Sequence, residues 1–235
     1  MNTIPLLNLA ISFIPVAIVV AILYRWQITT KTTLIAIARM LVQLLGVGYV
    51  LAYVFESQQW AMVMAVVAVM ISAASWIALG PVATHRSGMY FKAVLAIGLG
   101  GIVTLLLVTQ GVLNCDPWFA PREVIPLAGM IFANSMNTLS IAAERFLAEC
   151  EQGVSYELAR QRGMTAALIP LTNSLLAVGI VSLPGMMTGQ ILAGQSPLVA
   201  ARYQIMVMSM VFGSGGISAA SFLAMLRGVV VSRKS

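Results

Sequence analysis

The sequence predicts an all-α integral membrane protein of about seven transmembrane helices, and three observations carry that expectation. Hydrophobic residues make up 60% of the 235 and charged residues only 9%, too few charges to clothe a water-soluble globule. Apolar stretches of about 20 residues, the length that crosses a bilayer as a helix, recur along most of the chain. The basic residues gather in alternate connections between those stretches. The expected organisation is a single polytopic domain, residues 1–235.

The first span is placed at Ile4–Leu23. It has no basic leader, and its apolar run exceeds the roughly 7–15 residues of a signal-peptide core, so it reads as a retained span. The others follow at Thr33–Phe55, Trp60–Leu79, Lys92–Leu113, Val124–Ala142, Thr165–Leu183 and Tyr203–Leu226. With the N-terminus outside, the inner side receives Arg25, Lys31, Arg39, Arg86, Lys92, Arg145, Arg160, Arg162, Arg227, Arg233 and Lys234. Of the 13 basic residues, Arg122 and Arg202 fall outside. Acids divide almost evenly, with Glu144, Glu149, Glu151 and Glu157 inside and Glu56, Asp116 and Glu123 outside. This asymmetry predicts an N-out, C-in orientation, because Lys and Arg set topology and acids contribute little. A pI near 9.8 is then explained by the anionic inner leaflet, with no nucleic-acid partner. Tyr24, Trp26, Tyr49, Trp60, Tyr90, Trp118 and Tyr203 lie near span ends, where amphipathic rings anchor.

Several chemistries are excluded on inventory. Cys115 and Cys150 fall on opposite sides of the bilayer in this topology, so they cannot join in a disulfide, and their spacing fits no zinc site. His85, the single histidine, sits beside Arg86 without a second histidine or nearby carboxylate, so a solvated or headgroup-facing role is expected. There is no G-x-x-x-x-G-K-[ST] phosphate loop and no H-E-x-x-H. Lys31, Lys92 and Lys234 all lie at or beyond span edges, which leaves no mid-membrane amine for a retinal Schiff base. The chain is expected not to be an enzyme and to hold no cofactor.

The densely charged segment Ala143–Gly163 stands apart. The fifth span is expected to continue as a helix through Glu151, projecting Glu144, Arg145, Glu149 and Glu151 into water, and Gly153 to break it. Ser155 then reads as an N-cap, Glu157 as a first-turn anion, Arg160 and Arg162 as last-turn cations, and Gly163 as a C′ residue. This predicts a separate helix of about two turns. Read as Glu157-Leu158-Ala159-x-x-x-Gly163, with leucine where the pattern has alanine, it resembles the E-A-A-x-x-x-G coupling helix that ABC-transporter permeases fit into an ATP-binding subunit. The alternative is a well-capped interfacial helix with no partner.

Longer stretches carry a second resemblance: 124–136 (Val-Ile-Pro-Leu-Ala-Gly-Met-Ile-Phe-Ala-Asn-Ser-Met), 179–189 (Gly-Ile-Val-Ser-Leu-Pro-Gly-Met-Met-Thr-Gly), Ala193-Gly194, Ser196-Pro197, 203–207 (Tyr-Gln-Ile-Met-Val) and the Arg39–Leu51 run. Together they resemble the FetB (YbbM) family over most of the chain from the second span to the seventh. That family comprises small ABC permeases implicated in iron export, with plant relatives linked to aluminium tolerance. The resemblance implies a permease domain in the cytoplasmic (inner) membrane. It also implies a partner, a separate subunit that binds and hydrolyses ATP, in an assembly of two permeases and two ATPases. Glu157, Ala159, Arg160 and Gly163 would couple to that subunit.

The same stretches have a physical reading. Pro184, Gly185, Gly189, Gly194 and Pro197 stud an apolar link with helix breakers. Irregular backbone at membrane depth is tolerated where it is buried in protein or lines an aqueous cavity, so 184–201 is either a broken, re-entrant element at an outer gate or a surface loop with a short helix. Gly185 and Gly189 also form a G-x-x-x-G pair. Polar residues inside spans are costly and mark candidate paths. Asn134 and Asn137 share a face, and with Asn173 they form a candidate polar seam. Gln43, Ser135, Thr172, Ser174, Gln204 and Ser209 are further polar span residues. Each amide could equally serve helix packing.

No carboxylate lies mid-span, which favours an external energy source over proton or sodium coupling. Methionine is abundant, 15 in all, with Met130, Met136, Met186, Met187, Met206, Met208 and Met210 in the last three spans and the link between them. Thioethers suit Cu(I) and sit awkwardly with iron, and methionine is also an adaptable gap filler. The candidate translocation path is thus Asn134, Asn137, Asn173, Pro184, Gly185, Met186, Met187 and Gln204, with the metal-binding residues left open. The rival to an ABC permease is a stand-alone carrier or channel for a metal ion or small solute. In that case the charged loop merely caps the bundle.

Overall fold

The computed structural model describes residues 5–56 and 59–227. Ile4 of the first expected span, and Arg233 and Lys234 of the expected inner set, lie outside the described residues. Six helical segments among the described residues are long and apolar enough to cross a membrane: Asn8–Arg25, Thr30–Glu56, Trp60–Ala78, Ala83–Val112, Pro121–Glu151 and Pro197–Met225. No strand occurs among the described residues, only an isolated bridge between Val178 and Ser182. The all-helical membrane class therefore stands.

The chain divides into two compact units, one ending at Glu56 and the other beginning at Ser57. The first holds α1 (Leu6–Ile11), α2 (Ile14–Arg25) and α3 (Thr30–Glu56). Pro15, near the start of α2, separates α1 from α2, since its ring cannot donate a backbone hydrogen bond and crowds the carbonyl four residues back. The Ser12 hydroxyl donates to the Leu9 carbonyl at 2.6 Å, closing the last turn of α1. α2 has no buried side chain and α3 has one, Val54. Apolar helices left this uncovered suit an apolar solvent, where their backbone bonds are already satisfied.

The second unit contains α4 (Trp60–Ala78), α5 (Arg86–Leu106), α6 (Pro121–Glu151), α7 (Tyr156–Ala177), α8 (Gly185–Leu192) and α9 (Pro197–Met225). α5 widens into π-helical turns over Leu107–Val112. Packing of α9 against both α5 and α6 forms the centre, where Phe132, Phe146, Phe222, Ile131 and Leu139 are fully buried. Lipid gives helices no hydrophobic reason to associate, so close backbone approach at small residues does that work. A Cβ on Gly100 of α5 would stand 2.9 Å from the Ser218 amide nitrogen and 3.0 Å from the Ser214 carbonyl of α9. One on Gly215 of α9 would meet Thr138 Oγ1 of α6 at 2.8 Å.

α6 has 31 residues, which at about 1.5 Å per residue makes it roughly 46 Å long. That exceeds the roughly 30 Å hydrocarbon core, so its charged C-terminal turns extend beyond the span, as expected from the sequence. Gly153 ends the helix with φ +79°, the left-handed geometry for which glycine is the ready residue.

Beyond the break the structure corrects the sequence reading. No separate two-turn helix forms, because α7 runs unbroken from Tyr156 to Ala177. Gly163 is therefore not a C′ residue but a buried interior one. A Cβ there would lie 3.0 Å from the Ala142 carbonyl and 3.3 Å from Phe146 Cβ. The glycine serves the close approach of α7 to α6, and Ala159 and Ala167, each four residues away, are buried on the same stripe.

Candidate functional site

Two regions of the second unit draw on the residues singled out in the sequence. One is the turn where α6 ends and α7 begins. The other is a group of clefts among α6, α7, α8 and α9, at the opposite end of α7.

At the turn, Glu149 does not project into water, contrary to expectation. Its side chain is 2% exposed, and Arg162 Nη1 of α7 donates to its Oε2 at 2.6 Å. Arg145, one turn back on α6, pairs with its other oxygen. Both guanidiniums are about half exposed, so one buried carboxylate is held by two cations that remain partly hydrated. Removing a charge from water is costly unless it is paired and hydrogen-bonded, and here both carboxylate oxygens have partners.

Tyr156 adds a second tie. Its hydroxyl donates to the Leu223 carbonyl near the end of α9 at 3.0 Å, and its ring stands edge-on to Phe146 at 5.9 Å. Arg160 lies over that ring at 5.5 Å, a cation–π contact. Ser155 occupies the N-cap as expected, although its hydroxyl makes no capping bond. The four candidate coupling residues thus divide into two pairs. Ala159 and Gly163 are buried against α6, while Glu157 and Arg160 are exposed, as are the adjacent Leu158 and Gln161. The turn presents a mixed charged and apolar face to its surroundings, backed by anchored side chains.

At the other end, a cleft of about 220 Å³ is lined by Asn134 and Met130 of α6, Ser174 of α7, Pro184, and Gln204 and Met208 of α9. A neighbouring cleft of about 380 Å³ shares Gln204 and Met208 and adds Met187 and Ser209. A third, about 410 Å³, brings Asn173 and Ser182 beside Ser174, Pro184 and Met208. The fourth, about 180 Å³, places Met186 with Met130, Arg122, Glu123 and Gln190. Shared linings make these adjoining parts of one apolar, amide-bearing region. Of the candidate path, Asn134, Asn173, Pro184, Met186, Met187 and Gln204 are brought together, whereas Asn137 and Gly185 line none of these clefts and are exposed.

The Asn134 amide nitrogen donates to the Met130 carbonyl of its own helix at 2.8 Å. Gln204 is 5% exposed, and its Oε1 has no hydrogen-bond partner. α8 buries no side chain, and it is flanked by left-handed turns at Gly179 (φ +81°) and Gly194 (φ +92°). The 184–201 segment is thus a short helix followed by the start of α9. A Cβ on Gly185 or Gly189 would touch nothing within 4 Å, so their G-x-x-x-G face packs no helix within the described chain.

Sequence reasoning missed Tyr156 and the buried state of Glu149. The 13-residue separation of Glu149 from Arg162 gives no periodic signal. The buried stripe Ala159, Gly163 and Ala167 was legible as small residues at i, i+4 spacing.

Comparison with known proteins agrees over nearly the whole chain. Residues 6–158 and 152–230 match the uncharacterised protein family UPF0014. The chain is 33% identical over 214 residues to the UPF0014 membrane protein slr1647 of Synechocystis, covering 83% of this chain and 82% of that one. It is 32% identical over 228 residues to the probable iron export permease protein FetB of Escherichia coli, covering 90% and 86%. To the protein ALUMINUM SENSITIVE 3 of Arabidopsis thaliana it is 31% identical, covering 89% and 81%. No solved structure shows a significant match.

Proposed function

The chain belongs to the UPF0014 family of membrane proteins, and from that membership we propose that it is the permease subunit of an ABC-type exporter for iron or another metal. A separate subunit binds and hydrolyses ATP, and this chain supplies neither a catalytic group nor a cofactor site. Two copies pair with two ATPases in the cytoplasmic (inner) membrane. Each crosses seven times, N-out and C-in, with α7 as the sixth crossing. The name of the Escherichia coli relative supports the cargo class.

The observation that carries this reading is the continuity of α7. One unbroken helix joins an exposed, charged first turn at Glu157 and Arg160 to the cleft residues Asn173 and Ser174 at its far end. Glu149 and Tyr156 tie that turn to α6 and α9, so a load applied there moves it with its neighbours, and Pro170, which lacks a backbone donor, is the point within α7 where the helix can bend. On this reading, motion of the first turn reaches the cleft through α7. The exposed Asn137, Thr172 and Asn173 support pairing of two copies, since polar side chains are costly against lipid and a second copy would cover them.

The test is co-purification in mild detergent from the native membrane, with ATPase activity measured on what is recovered. The wild-type chain should bring down a stoichiometric nucleotide-binding subunit, and the charge reversals Glu157→Lys and Arg160→Glu should release it without lowering the yield of the folded chain. Recovery of the chain alone, under conditions that preserve other membrane complexes, would transfer the case to a stand-alone carrier.

A further inference from the structure

We propose that the two adjoining clefts among α6, α7, α8 and α9 that share Gln204 and Met208 together bind a soft monovalent metal cation, on the thioethers of Met130, Met187 and Met208 and the side-chain carbonyl of Gln204. The inference rests on the exporter reading only for the site's role as a cargo site. The ligand set itself is independent of it.

Met208 and Gln204 line both the 220 Å³ and the 380 Å³ cleft, the first with Met130 and the second with Met187. Met130, Met187 and Met208, on α6, α8 and α9, therefore line two adjoining clefts that share Gln204. Gln204 is 95% buried by its 5% exposure, and its Oε1 lacks a donor. A buried carbonyl without a partner forfeits its hydration, and a turn of the Gln204 side chain toward the cleft would let a cation there restore that interaction.

The donor set decides which cation. Thioethers are soft, polarisable and neutral, and they select Cu(I) or the equally soft Ag(I), whereas ferrous iron favours carboxylate and imidazole. Among the described residues, no group of three or more His, Cys, Asp or Glu is placed to hold a metal. Glu123 borders the 180 Å³ cleft, beside Arg122, but neither the 220 Å³ cleft nor the 380 Å³ one. Desolvation grows with the square of the charge, so a neutral site of this kind accepts a single positive charge far more readily than two. Methionine's flexible chain also lets the sulphur atoms close on an ion and release it as the helices move.

The test uses the full chain purified in detergent, without an ATPase. Cu(I) is presented from a bathocuproine disulfonate complex under reducing conditions, with Ag(I) as a redox-inert second probe. The wild-type chain should withdraw Cu(I) from the chelator, and excess Fe(II) should not displace it. Met130→Leu, Met208→Leu and Gln204→Leu, which nearly conserve volume, should each weaken retention by about tenfold or more. X-ray absorption of the Cu(I)-loaded wild-type chain should show sulphur neighbours, a readout that needs no variant. Absence of uptake, uptake indifferent to the methionines, displacement by Fe(II), or a shell of nitrogen and oxygen alone would each overturn the site. A chain that binds Cu(I) here but never pairs with an ATPase leaves the site standing and removes the exporter reading. One that exports metal with its partner yet takes no Cu(I) removes this site alone.

Discussion

The two ends of α7 are built on opposite plans. Its first turns are fastened by a buried carboxylate between two arginines, by a tyrosine hydroxyl on a carbonyl of α9, and by a glycine pressed against α6. At its far end the chain leaves through a left-handed glycine into α8, which buries nothing, beside clefts lined by methionine and amide side chains. Tight, specific packing makes a segment resist deformation, while sparse burial and exposed backbone mark the segments that open most readily. Under the function proposed above, transmission falls to the charged end and gating to the other.

Substitutions at each end can break that contrast. The largest effect is expected for Gly163→Val, because the added carbons meet a backbone carbonyl that cannot swing aside. A loss of about 3 kcal/mol, at the upper end for overpacking, should lower the melting temperature of the purified chain by several degrees. Gly163→Ala should show a smaller shift in the same direction. Glu149→Gln should follow at about 2 kcal/mol, the scale of a hydrogen bond to a charged group. It falls short of the cost of a fully buried pair because both arginines can turn to water.

Gly194→Ala should lower stability by about 1 kcal/mol, the strain of a left-handed non-glycine residue, and should alter flux more than assembly. Gly185→Ala should leave the melting temperature within error, since nothing stands near its Cβ. A large loss there in the isolated chain would erase the distinction between the ends. The mildest probe is chemical. Burial pushes the Cys115 thiol up from its ordinary value, and the Glu123 charge pushes it the same way. The thiolate is the reactive form, so maleimide labelling should lag behind that of a free thiol at neutral pH and catch up only as the pH rises.

How much of this was legible in the sequence follows from where the information resides. Six of the seven expected spans and the extended end of α6 are local properties of apolar run length and charge, and Gly153 announces its own break; the one expected at 165–183 is not among the described helices apolar enough to cross, and its helix, α7, ends at Ala177. Gly163 was misread because a glycine after basic residues satisfies the rules of a helix end as well as those of a helix crossing. The tertiary partner, the Ala142 carbonyl, decides between them. Glu149 reads as solvated by composition alone, and only the return of α7 places Arg162 beside it. The shared clefts of Met130, Met208 and Gln204 likewise depend on how α6 and α9 pack, which periodicity does not specify.

The central claim is that α7 carries motion from a partner ATPase to the cleft through its fastened first turn. The most direct measurement compares ATP hydrolysis and metal flux in proteoliposomes containing the purified complex, for the wild type and for Glu149→Gln. Loosening the turn should leave hydrolysis largely intact and reduce flux per ATP severalfold. Flux that stays proportional to hydrolysis in the variant would contradict the account.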